Sequence, residues 1–406
     1  MNPSSWICCQ IGAREHYAIP RSLHQTGQLT ALITDAWVSP KSAFNALPDS
    51  LLRNLRDRFH PDLGTASVHG FTGSLLQFEL SQKLKKTGEW DRMIARNRWF
   101  QQKAIAQLKR MAPSLTAGNS RPTLFTYSYA ALDILRYAKS QGWYTVLGQI
   151  DPGPIEEEIV IREHQKYPEL APSWQPVPPS YWDTWKQECG IADRIIVNSS
   201  WSRQALQQAG IDSGKIEIVP LVYSPPEQAR SFQRTYPDRF TAERPLRVLF
   251  LGQVILRKGI AALLEAADKL KDEPIEFWIV GRSEVIPPEL ANKNIRWIGA
   301  VPRSAAANYY QQADVFLFPT LSDGFGLTQL EAQAWKLPLI VSKFCGEVVI
   351  DGMNGKVLPQ VTGEAIATVL LTFLNDPQRL IELAQKSVQP TALPAMPELS
   401  QQLSQL

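Results

Sequence analysis

The sequence predicts an α/β protein made of two doubly wound, Rossmann-like domains joined by a linker. The chain has 406 residues, which is long for one hydrophobic core and suits two α/β domains. Short apolar runs alternate with segments of helical periodicity, a pattern typical of parallel sheets covered on both faces. A polar, proline-containing stretch at residues 224–245 is the expected linker. We therefore expect domains at residues 1–223 and 246–380, and a tail at 381–406 that is a candidate helix returning to the first domain.

The second half carries the clearer pattern of strands and helices. Its strand candidates are Arg247–Gly252, Ile275–Gly281, Ile295–Gly299, Val315–Pro319 and Pro338–Val341. The intervening helix candidates are Ile260–Leu270, a helix ending near Ala313, and Leu327–Trp335. Doubly wound domains bind ligands beyond the carboxyl ends of their strands. Loops that follow these strands are therefore where we expect a site.

The first half alternates in the same way but less regularly. Its strand candidates are Trp6–Gln10, Leu29–Thr34, Thr123–Tyr127, Tyr144–Ile150 and Arg194–Asn198. The proline-rich segment Tyr167–Tyr181 is expected to be an irregular loop. Two such domains enclose a cleft, which is a common place for a ligand.

Composition and charge exclude several classes of protein. Charged residues make up 20% and hydrophobic residues 44%, as in ordinary globular proteins. The net charge of +3 gives no reason to expect nucleic acid as a partner. No apolar run approaches the roughly 18 residues that cross a bilayer. The first twenty residues carry Arg14, Glu15 and His16 where a signal peptide needs apolar residues, so we expect a cytoplasmic protein.

The four cysteines show neither metal-ligand spacing nor a disulfide framework. The adjacent pair Cys8 and Cys9 is expected in a buried first strand, where cysteine acts as a small apolar residue.

Three short segments suggest a binding site, and the first is Phe250–Gly259. A strand ends at Gly252, and Arg257 and Lys258 stand at the opening of the next helix. Free N–H groups at a helix N-terminus and two cations suit phosphate oxygens. Because cations are unfavourable at that end of a helix, an anionic partner explains them better than a solvated pair does.

The second segment is Ser322–Glu331, a glycine-rich turn that opens a helix. Gly324 and Gly326 let the backbone approach a ligand closely. The carboxylates of Asp323 and Glu331 could accept hydrogen bonds from two sets of sugar hydroxyls. The alternative is that Asp323 caps the helix and Glu331 is merely helical. The third segment, Glu347–Gly355, contains the turn formers Asp351-Gly352 and Asn354-Gly355, and it is equally consistent with a surface turn.

In order and spacing, these three segments resemble the donor domain of the family 4 retaining glycosyltransferases, which have the GT-B fold. The family has a strand-Gly-x5-Lys-Gly segment, then acid-Gly-Phe-Gly-x4-Glu, then a turn of the Asp-Gly-x-Asn-Gly type. The match runs from Arg247 to about Asn375, a third of the chain. A weaker resemblance covers Ala192–Ser200 and Lys215–Pro220, which look like the last two strands of the family's first domain.

The resemblance implies roles for individual residues. Lys258, helped by Arg257, would neutralise the diphosphate of a nucleotide sugar, and Glu331 would hold the nucleotide ribose. Asp323 would stand near the donor sugar. Main-chain groups of Gly324, Phe325, Gly326 and Leu327 would contact phosphate and sugar, while Arg282 and the segment Ala300–Pro302, with Val301, would border the base. No metal or other cofactor is expected if Arg257 and Lys258 stabilise the leaving diphosphate, and the lack of an Asp-x-Asp motif in the chain agrees with this.

The chain departs from the family at several positions. Gln253 follows Gly252 where the family usually has arginine, and Asp323 replaces the usual glutamate. The glycine-rich turn after the first strand is reduced to Gly12. The family's histidine after a central strand is absent, which leaves Asp151 or Gln149 as cleft candidates. Asp151 is equally a turn former before Pro152. His16 and His164 are further alternatives.

The resemblance implies transfer of a sugar with retention, by front-face attack in which the leaving diphosphate helps to deprotonate the acceptor. The expected partners are a UDP- or GDP-sugar donor and a glycan or lipid-linked acceptor. One alternative is a catalytically silent GT-B protein that binds nucleotide or glycan as a partner subunit. Another is a GT-B sugar-nucleotide epimerase or a phosphorylase.

Residues 83–110 hold nine Lys or Arg and two acids. Its apolar residues recur at helical spacing: Trp90, Met93, Phe100, Ala104, Leu108 and Met111. Such a helix could lie on an anionic membrane surface, peripherally at the inner face. The alternative is that its apolar face packs on the domain core.

Overall fold

The computed structural model describes residues 5–46, 55, 58–85, 88–116, 121–287, 293–387 and 396–406. Within them the chain forms one sheet of seven strands and one of six, and every strand pair is parallel. Helices follow the strands in both halves. The predicted pair of doubly wound α/β domains is therefore confirmed.

The first sheet has the strand order β3-β2-β1-β4-β5-β6-β7. Its strands are β1 (Trp6–Gln10), β2 (Leu29–Thr34), β3 (Val68–Gly70), β4 (Thr123–Tyr127), β5 (Tyr144–Gly148), β6 (Arg194–Val197) and β7 (Ile216–Ile218). The helices are α1 (Ala18–Gln25), α2 (Thr72–Lys85), α3 (Glu89–Thr116), α4 (Leu132–Ser140), α5 (Pro154–Lys166), α6 (Pro179–Ile191) and α7 (Ser200–Gln208). Cys8 and Cys9 are both fully buried in β1, as expected for small apolar residues.

Two local predictions in this domain were wrong in detail. The proline-rich segment is irregular only up to Pro178, because α6 begins at Pro179. Proline suits the first helical turn, where its missing N–H has no intrahelical partner to lose. The strand β5 ends at Gly148 rather than Ile150. The next residues turn away toward the cleft between the domains.

The second sheet has the strand order β10-β9-β8-β11-β12-β13. Its strands are β8 (Leu246–Leu251), β9 (Ile275–Val280), β10 (Ile295–Gly299), β11 (Val315–Phe318), β12 (Leu339–Ser342) and β13 (Gly355–Leu358). The helices are α8 (Glu227–Ser231), α9 (Ile260–Lys269), α10 (Ala306–Gln312), α11 (Leu327–Ala334), α12 (Gly363–Asn375) and α13 (Gln378–Lys386). Gly355, expected in a tight turn, instead opens β13, where a Cβ would lie 2.2 Å from the Leu339 carbonyl oxygen.

The stretch 224–245 packs along the second domain. The Arg234 guanidinium donates to the backbone carbonyls of Tyr310 and Trp335, at 2.6 and 2.9 Å. In the tail, residues 388–395 lie outside the described residues. The helix α14 (Met396–Leu403) packs on α1, and the Ser22 hydroxyl donates to the Met396 carbonyl at 2.6 Å. The end of the chain is therefore held against the first domain.

The basic helix α3 turns its apolar face inward. Phe100, Ala104 and Leu108 are fully buried in the core of the first domain. Arg96 forms an ion pair with buried Asp35 at 2.7 Å. This packing favours the core-facing alternative over a membrane-facing one; residues 86–87 of the segment lie outside the described residues. In the part of the chain that the structure describes, no helix combines the length and apolarity needed to span a bilayer.

Candidate functional site

The carboxyl ends of the two sheets face each other across a cleft that contains two cavities. The first, which we name the glycine-loop cavity, has a volume of about 370 Å³. Arg14, Glu15, Ile150 and Asn198 line it from the first domain. Seven of the residues proposed from the sequence line it from the second domain, namely Gly252, Gln253, Lys258, Asp323, Phe325, Gly326 and Leu327. Second-domain positions up to 75 residues apart in the chain, Gly252 to Leu327, therefore meet residues of the first domain at one site.

The second cavity, the histidine cavity, has a similar volume of about 370 Å³. Its lining residues include His16, Tyr17, Arg21, His60, Tyr223 and Arg303. Glu15 lines both cavities and so forms part of the wall between them. Burial, followed by the charge of Arg303, lowers the pKa of His16 to about 4. Burial also lowers the pKa of His60, so both imidazoles are neutral near pH 7.

Lys258 reaches the glycine-loop cavity from a tight turn between β8 and α9. The turn spans Leu256–Lys258 and ends at Gly259, whose φ of 73° favours glycine. A Cβ on Gly259 would lie 1.9 Å from the Pro319 carbonyl oxygen, so glycine is required there for the turn to pack on the neighbouring loop. The Lys258 ammonium lies 4.9 Å from the centre of the Phe318 ring. The turn thus fixes a largely buried cation at the floor of the cavity.

The lysine is ion-paired with Asp323, and both side chains are about 15% exposed or less. Burial, followed by the adjacent Arg257 charge, holds the pKa of Lys258 well below its usual value. An ammonium in this position is stable only beside an anion, which Asp323 supplies here. A phosphate entering the cavity would provide the same charge and favour the protonated lysine.

The glycine-rich loop brings main-chain groups to the other side of the cavity. Gly326 has a φ of 87° and directly precedes α11. A Cβ there would lie 2.6 Å from the Phe318 ring. The N–H groups of Leu327 and Thr328 belong to the first turn of α11, where backbone donors have no intrahelical acceptor. These donors and Lys258 together make the cavity suitable for phosphate oxygens.

Arg257 lies at the domain interface and outside both cavities. Its guanidinium donates to the Ser322 carbonyl at 2.8 Å and forms an ion pair with Glu156 on α5 at 3.4 Å. The Ser322 hydroxyl donates to the same Glu156 oxygen at 2.8 Å. Burial raises the pKa of Glu156 to about 7, against the opposing effect of Arg257. Arg257 therefore connects the domains and influences the cavity through its charge.

Further contacts hold the glycine-rich loop against the first domain. The Trp201 indole N–H donates to the Ser322 hydroxyl at 3.0 Å, and the Ser202 hydroxyl donates to the Gly324 carbonyl at 3.3 Å. A Cβ on Gly324 would lie 2.2 Å from the Ile150 carbonyl oxygen. The missing side chain of Gly324 allows the loop to approach the first domain this closely.

Glu331 lies in the second turn of α11, beyond the glycine-loop cavity. It accepts a hydrogen bond from the Tyr310 hydroxyl at 2.8 Å, and the Arg303 guanidinium is 3.8 Å away. Val301 is half-buried in the same hydrophobic cluster as Tyr310. Arg282 is exposed after β9 and, among the described residues, is absent from the lining of both cavities. The Arg282 carbonyl accepts a hydrogen bond from the Val254 N–H at 2.9 Å, next to the cavity-lining Gln253.

The first-domain candidates have mainly structural contacts. Asp151 accepts hydrogen bonds from the Gly153 N–H at 2.9 Å and from the side chains of Tyr129 and Gln149, as a turn former does. Gln149 is itself buried and accepts from the Trp185 indole at 2.9 Å. Gly12 donates its N–H to Asp35 at 2.8 Å. The part of the chain that the structure describes places neither Asp151 nor Gly12 in a cavity lining.

The third motif and the remaining histidine are also structural in their contacts. Asn354 accepts from the Ile350 N–H at 2.8 Å and donates to the Val348 carbonyl at 3.0 Å. His164 stacks on Trp174, with ring centres 3.9 Å apart. The Asn354 contacts lie within the second domain, and the contact between His164 and Trp174 lies within the first. The Asn354 contacts favour the surface-turn alternative for the segment Glu347–Gly355. Glu347 itself accepts a hydrogen bond from the Ser200 N–H across the domain interface at 2.9 Å.

Sequence reasoning named Gly12 and His16 in the turn after β1 but missed Glu15 as a part of the site. Glu15, His16 and Tyr17 have φ values of 51°, 53° and 59°. Left-handed backbone costs about 1–2 kcal/mol for each non-glycine residue. Such strain concentrates at functional sites. The available signal was position alone, since Arg14-Glu15-His16 follows the carboxyl end of the central strand β1, where ligands bind in this fold class.

Comparison with known proteins matches residues 245–376 to the family described as "Glycosyl transferases group 1". The chain is 26% identical over 285 residues to a D-inositol 3-phosphate glycosyltransferase of Xylanimonas cellulosilytica, covering 61% of this chain and 67% of that protein. It is 24% identical over 290 residues to the amylovoran biosynthesis glycosyltransferase AmsK of Erwinia amylovora, covering 65% of each. A 41.2 kDa protein from the cps region of Klebsiella pneumoniae is 27% identical over 40% of this chain and 47% of its own length. The matched region thus spans about half to two thirds of these relatives.

Solved structures match almost the whole chain. Anabaena HepE in complex with UDP superposes with a TM-score of 0.61 at 14% identity, covering 99% of this chain and 98% of HepE. TarM superposes with a TM-score of 0.66 at 10% identity, covering 100% and 99%. At such low identity the likeness establishes the fold. The chain therefore has the GT-B fold, and its residues 245–376 match the family model of the group 1 glycosyl transferases.

Proposed function

We propose that the protein is a retaining glycosyltransferase that moves a sugar from a UDP- or GDP-sugar to a hydroxyl of a glycan or lipid-linked acceptor. The reaction would serve glycan, polysaccharide or glycolipid biosynthesis. One observation carries the proposal: Lys258 and the N-terminus of α11 converge on a single cavity between the two domains. A buried cation and free backbone donors are the groups that a nucleotide diphosphate requires.

In this proposal the diphosphate lies between Lys258 and the N–H groups that follow Gly326. The ribose hydroxyls donate to Glu331, whose orientation the Tyr310 hydroxyl fixes at 2.8 Å. The donor sugar lies near Asp323. When phosphate takes over the pairing with Lys258, the Asp323 carboxylate becomes available to accept hydrogen bonds from sugar hydroxyls. Gln253 lines the same cavity as an uncharged contact.

In the transfer step, the largest change in charge occurs on the leaving diphosphate. A bond forms between the acceptor oxygen and the anomeric carbon, while the bond from that carbon to the diphosphate oxygen breaks with its electron pair. The acceptor hydroxyl attacks from the face on which the diphosphate departs, and its proton passes to that diphosphate. Lys258 and the helix donors stabilise the negative charge that develops, so the proposal requires no metal.

A thermal-shift screen against UDP, GDP, ADP and CMP with their common sugar conjugates tests the proposal. A ligand that binds only the native state adds about 2.7 kcal/mol of stability at a hundredfold excess over Kd. We expect a shift with one nucleotide class and its loss in Lys258→Ala. The matched control is Lys269→Ala, which removes a half-exposed lysine from α9 in the same domain.

The outcomes separate the proposal from its alternatives. No shift with any nucleotide in well-folded protein would refute the donor site and favour the silent, partner-binding protein. Binding followed by interconversion of two sugar nucleotides, without free nucleotide, would indicate an epimerase. A wild-type shift in Lys258→Ala would mean that the phosphate site is misassigned.

A further inference from the structure

The turn at residues 13–17 carries a carboxylate that the proposed chemistry does not yet use. Glu15 is part of both cavity linings, and so it lies between the donor site and the histidine cavity. The glycine-loop cavity already has groups for a diphosphate and for a donor sugar. The histidine cavity has none assigned. A group on the wall between them is placed where a second substrate would meet the donor.

The backbone of this turn is held in an unfavourable conformation by contacts at both ends. Of the five non-glycine residues with positive φ in the described part of the chain, three are consecutive here. The Gly12 N–H donates to buried Asp35 at 2.8 Å, and the Tyr17 hydroxyl donates to the Arg58 carbonyl at 3.0 Å. These anchors fix the direction of Glu15. Strain that the surrounding structure maintains in a cleft indicates a functional constraint.

A buried tyrosine hydroxyl lies beside Glu15. The Tyr127 hydroxyl, at the end of β4, is buried and has no well-aligned hydrogen-bond partner among the described residues. It lies close enough to Glu15 to lower the pKa of that carboxyl, but burial dominates and raises the pKa to about 7. A hydroxyl-bearing ligand beside Glu15 would donate a further hydrogen bond to this half-buried carboxylate.

We propose that the Glu15 carboxylate accepts a hydrogen bond from the acceptor hydroxyl that attacks the donor sugar. This assignment rests on the proposed function and adds an acceptor site to it. The remainder of a hydroxylated acceptor, such as a sugar, would occupy the histidine cavity. In the step, Glu15 holds the hydroxyl and keeps its own charge, while the proton passes to the departing diphosphate as above.

The proposal predicts a pH dependence because only the ionised carboxylate is a full acceptor. Arg14 on the same turn favours the ionised form. The other charged or titratable groups around the two cavities include the Lys258–Asp323 pair with the adjacent Arg257 and Glu156, and Tyr127, His16, His60, Arg21 and Arg303. His16, with a pKa of about 4, stays neutral through the range in which Glu15 titrates, and burial lowers the pKa of His60 as well. The rate should therefore rise with pH through about 7 as Glu15 ionises.

The test measures donor cleavage against pH, with water or added glycerol as the acceptor. The probe is the nucleotide sugar that gives the largest thermal shift. We expect Glu15→Gln to bind this donor as the wild type does, to lose about 100-fold in turnover above pH 7 and to lose the rise with pH. Arg14→Gln should move the rise to higher pH. Glu157→Gln, which removes another carboxyl with a raised pKa from the same domain, should leave the rise in place.

Each outcome decides between two hypotheses. An unchanged pH profile in Glu15→Gln overturns the acceptor assignment, as does loss of donor binding in that variant. It is also overturned if wild-type protein binds donor but cleaves it with neither acceptor. Absence of donor binding in the wild type overturns the proposed function instead. If Glu15→Gln does not fold, the shift of the profile in Arg14→Gln tests the same point.

Discussion

Replacing Gly324 with alanine tests whether domain closure is needed for turnover. Gly324 does not have the left-handed backbone conformation that favours glycine, so alanine adds no backbone strain there. Its Cβ would lie 2.2 Å from the Ile150 carbonyl oxygen, whereas ordinary contact begins near 3.4 Å. The loop and the first domain must therefore separate by about 1 Å. Both atoms at the contact are held by backbone, so a rotamer change cannot relieve the clash.

The size of the expected loss of turnover follows from the hydrogen bonds that this separation weakens. The Trp201–Ser322, Ser202–Gly324 and Ser322–Glu156 hydrogen bonds cross this interface at 3.0, 3.3 and 2.8 Å. At about 1 kcal/mol each, their loss costs the closed form about 3 kcal/mol, or roughly 100-fold in its population. Turnover should fall by a similar factor. Nucleotide affinity should change less, since most of the proposed phosphate and ribose contacts come from the second domain.

Steady-state cleavage of the nucleotide sugar and thermal shifts with the free nucleotide measure the two effects. Gly190→Ala is the control, because a Cβ there meets nothing within 4 Å. Turnover equal to wild type in Gly324→Ala would refute the reasoning. A proportional loss of nucleotide affinity would show instead that the loop itself is distorted, and that closure is not the cause.

Three further predictions concern affinity and stability. Glu331→Gln should weaken nucleotide binding about tenfold, as measured by calorimetry, because the ribose hydroxyls lose a charged acceptor. Unchanged affinity would mean that Glu331 is not part of the ribose site. Phe100→Ala, at a fully buried position of α3, should lower the free energy of unfolding in urea by about 3–5 kcal/mol. A loss below about 1 kcal/mol would mean that this face of α3 is not packed on the core. The pKa of Glu156 is raised from 4.5 to about 7, so folded protein keeps a proton that the unfolded chain releases in that interval. This contribution to stability is therefore lost as pH rises from about 4.5 to 7, and urea unfolding across that range should show a smaller decline in Glu156→Gln. An identical decline in that variant would contradict the raised pKa.

The sequence predicted the strands and the order of the motifs because these depend on local patterns. The apolar runs at Ile295–Gly299 and Thr123–Tyr127 match β10 and β4 residue for residue. All five residues of β4 are buried, and such burial on both faces of a parallel sheet leaves a pattern that can be recognised from the sequence alone. The polar three-residue strand β3 has no such signature, and it was not predicted.

Tertiary structure decided which charged groups meet. Arg257 and Lys258 are adjacent in the chain, yet one pairs with Glu156 in the other domain and the other with Asp323 in the cavity. Glu15 enters the site because a strained turn directs it there. None of the three left-handed residues of that turn is a glycine, the residue that usually indicates such a conformation in a sequence. Ion pairs and left-handed turns depend on contacts between residues far apart in the chain. Hydrophobic periodicity specifies the sheets locally, whereas the partners of buried charges are fixed only when the two domains come together.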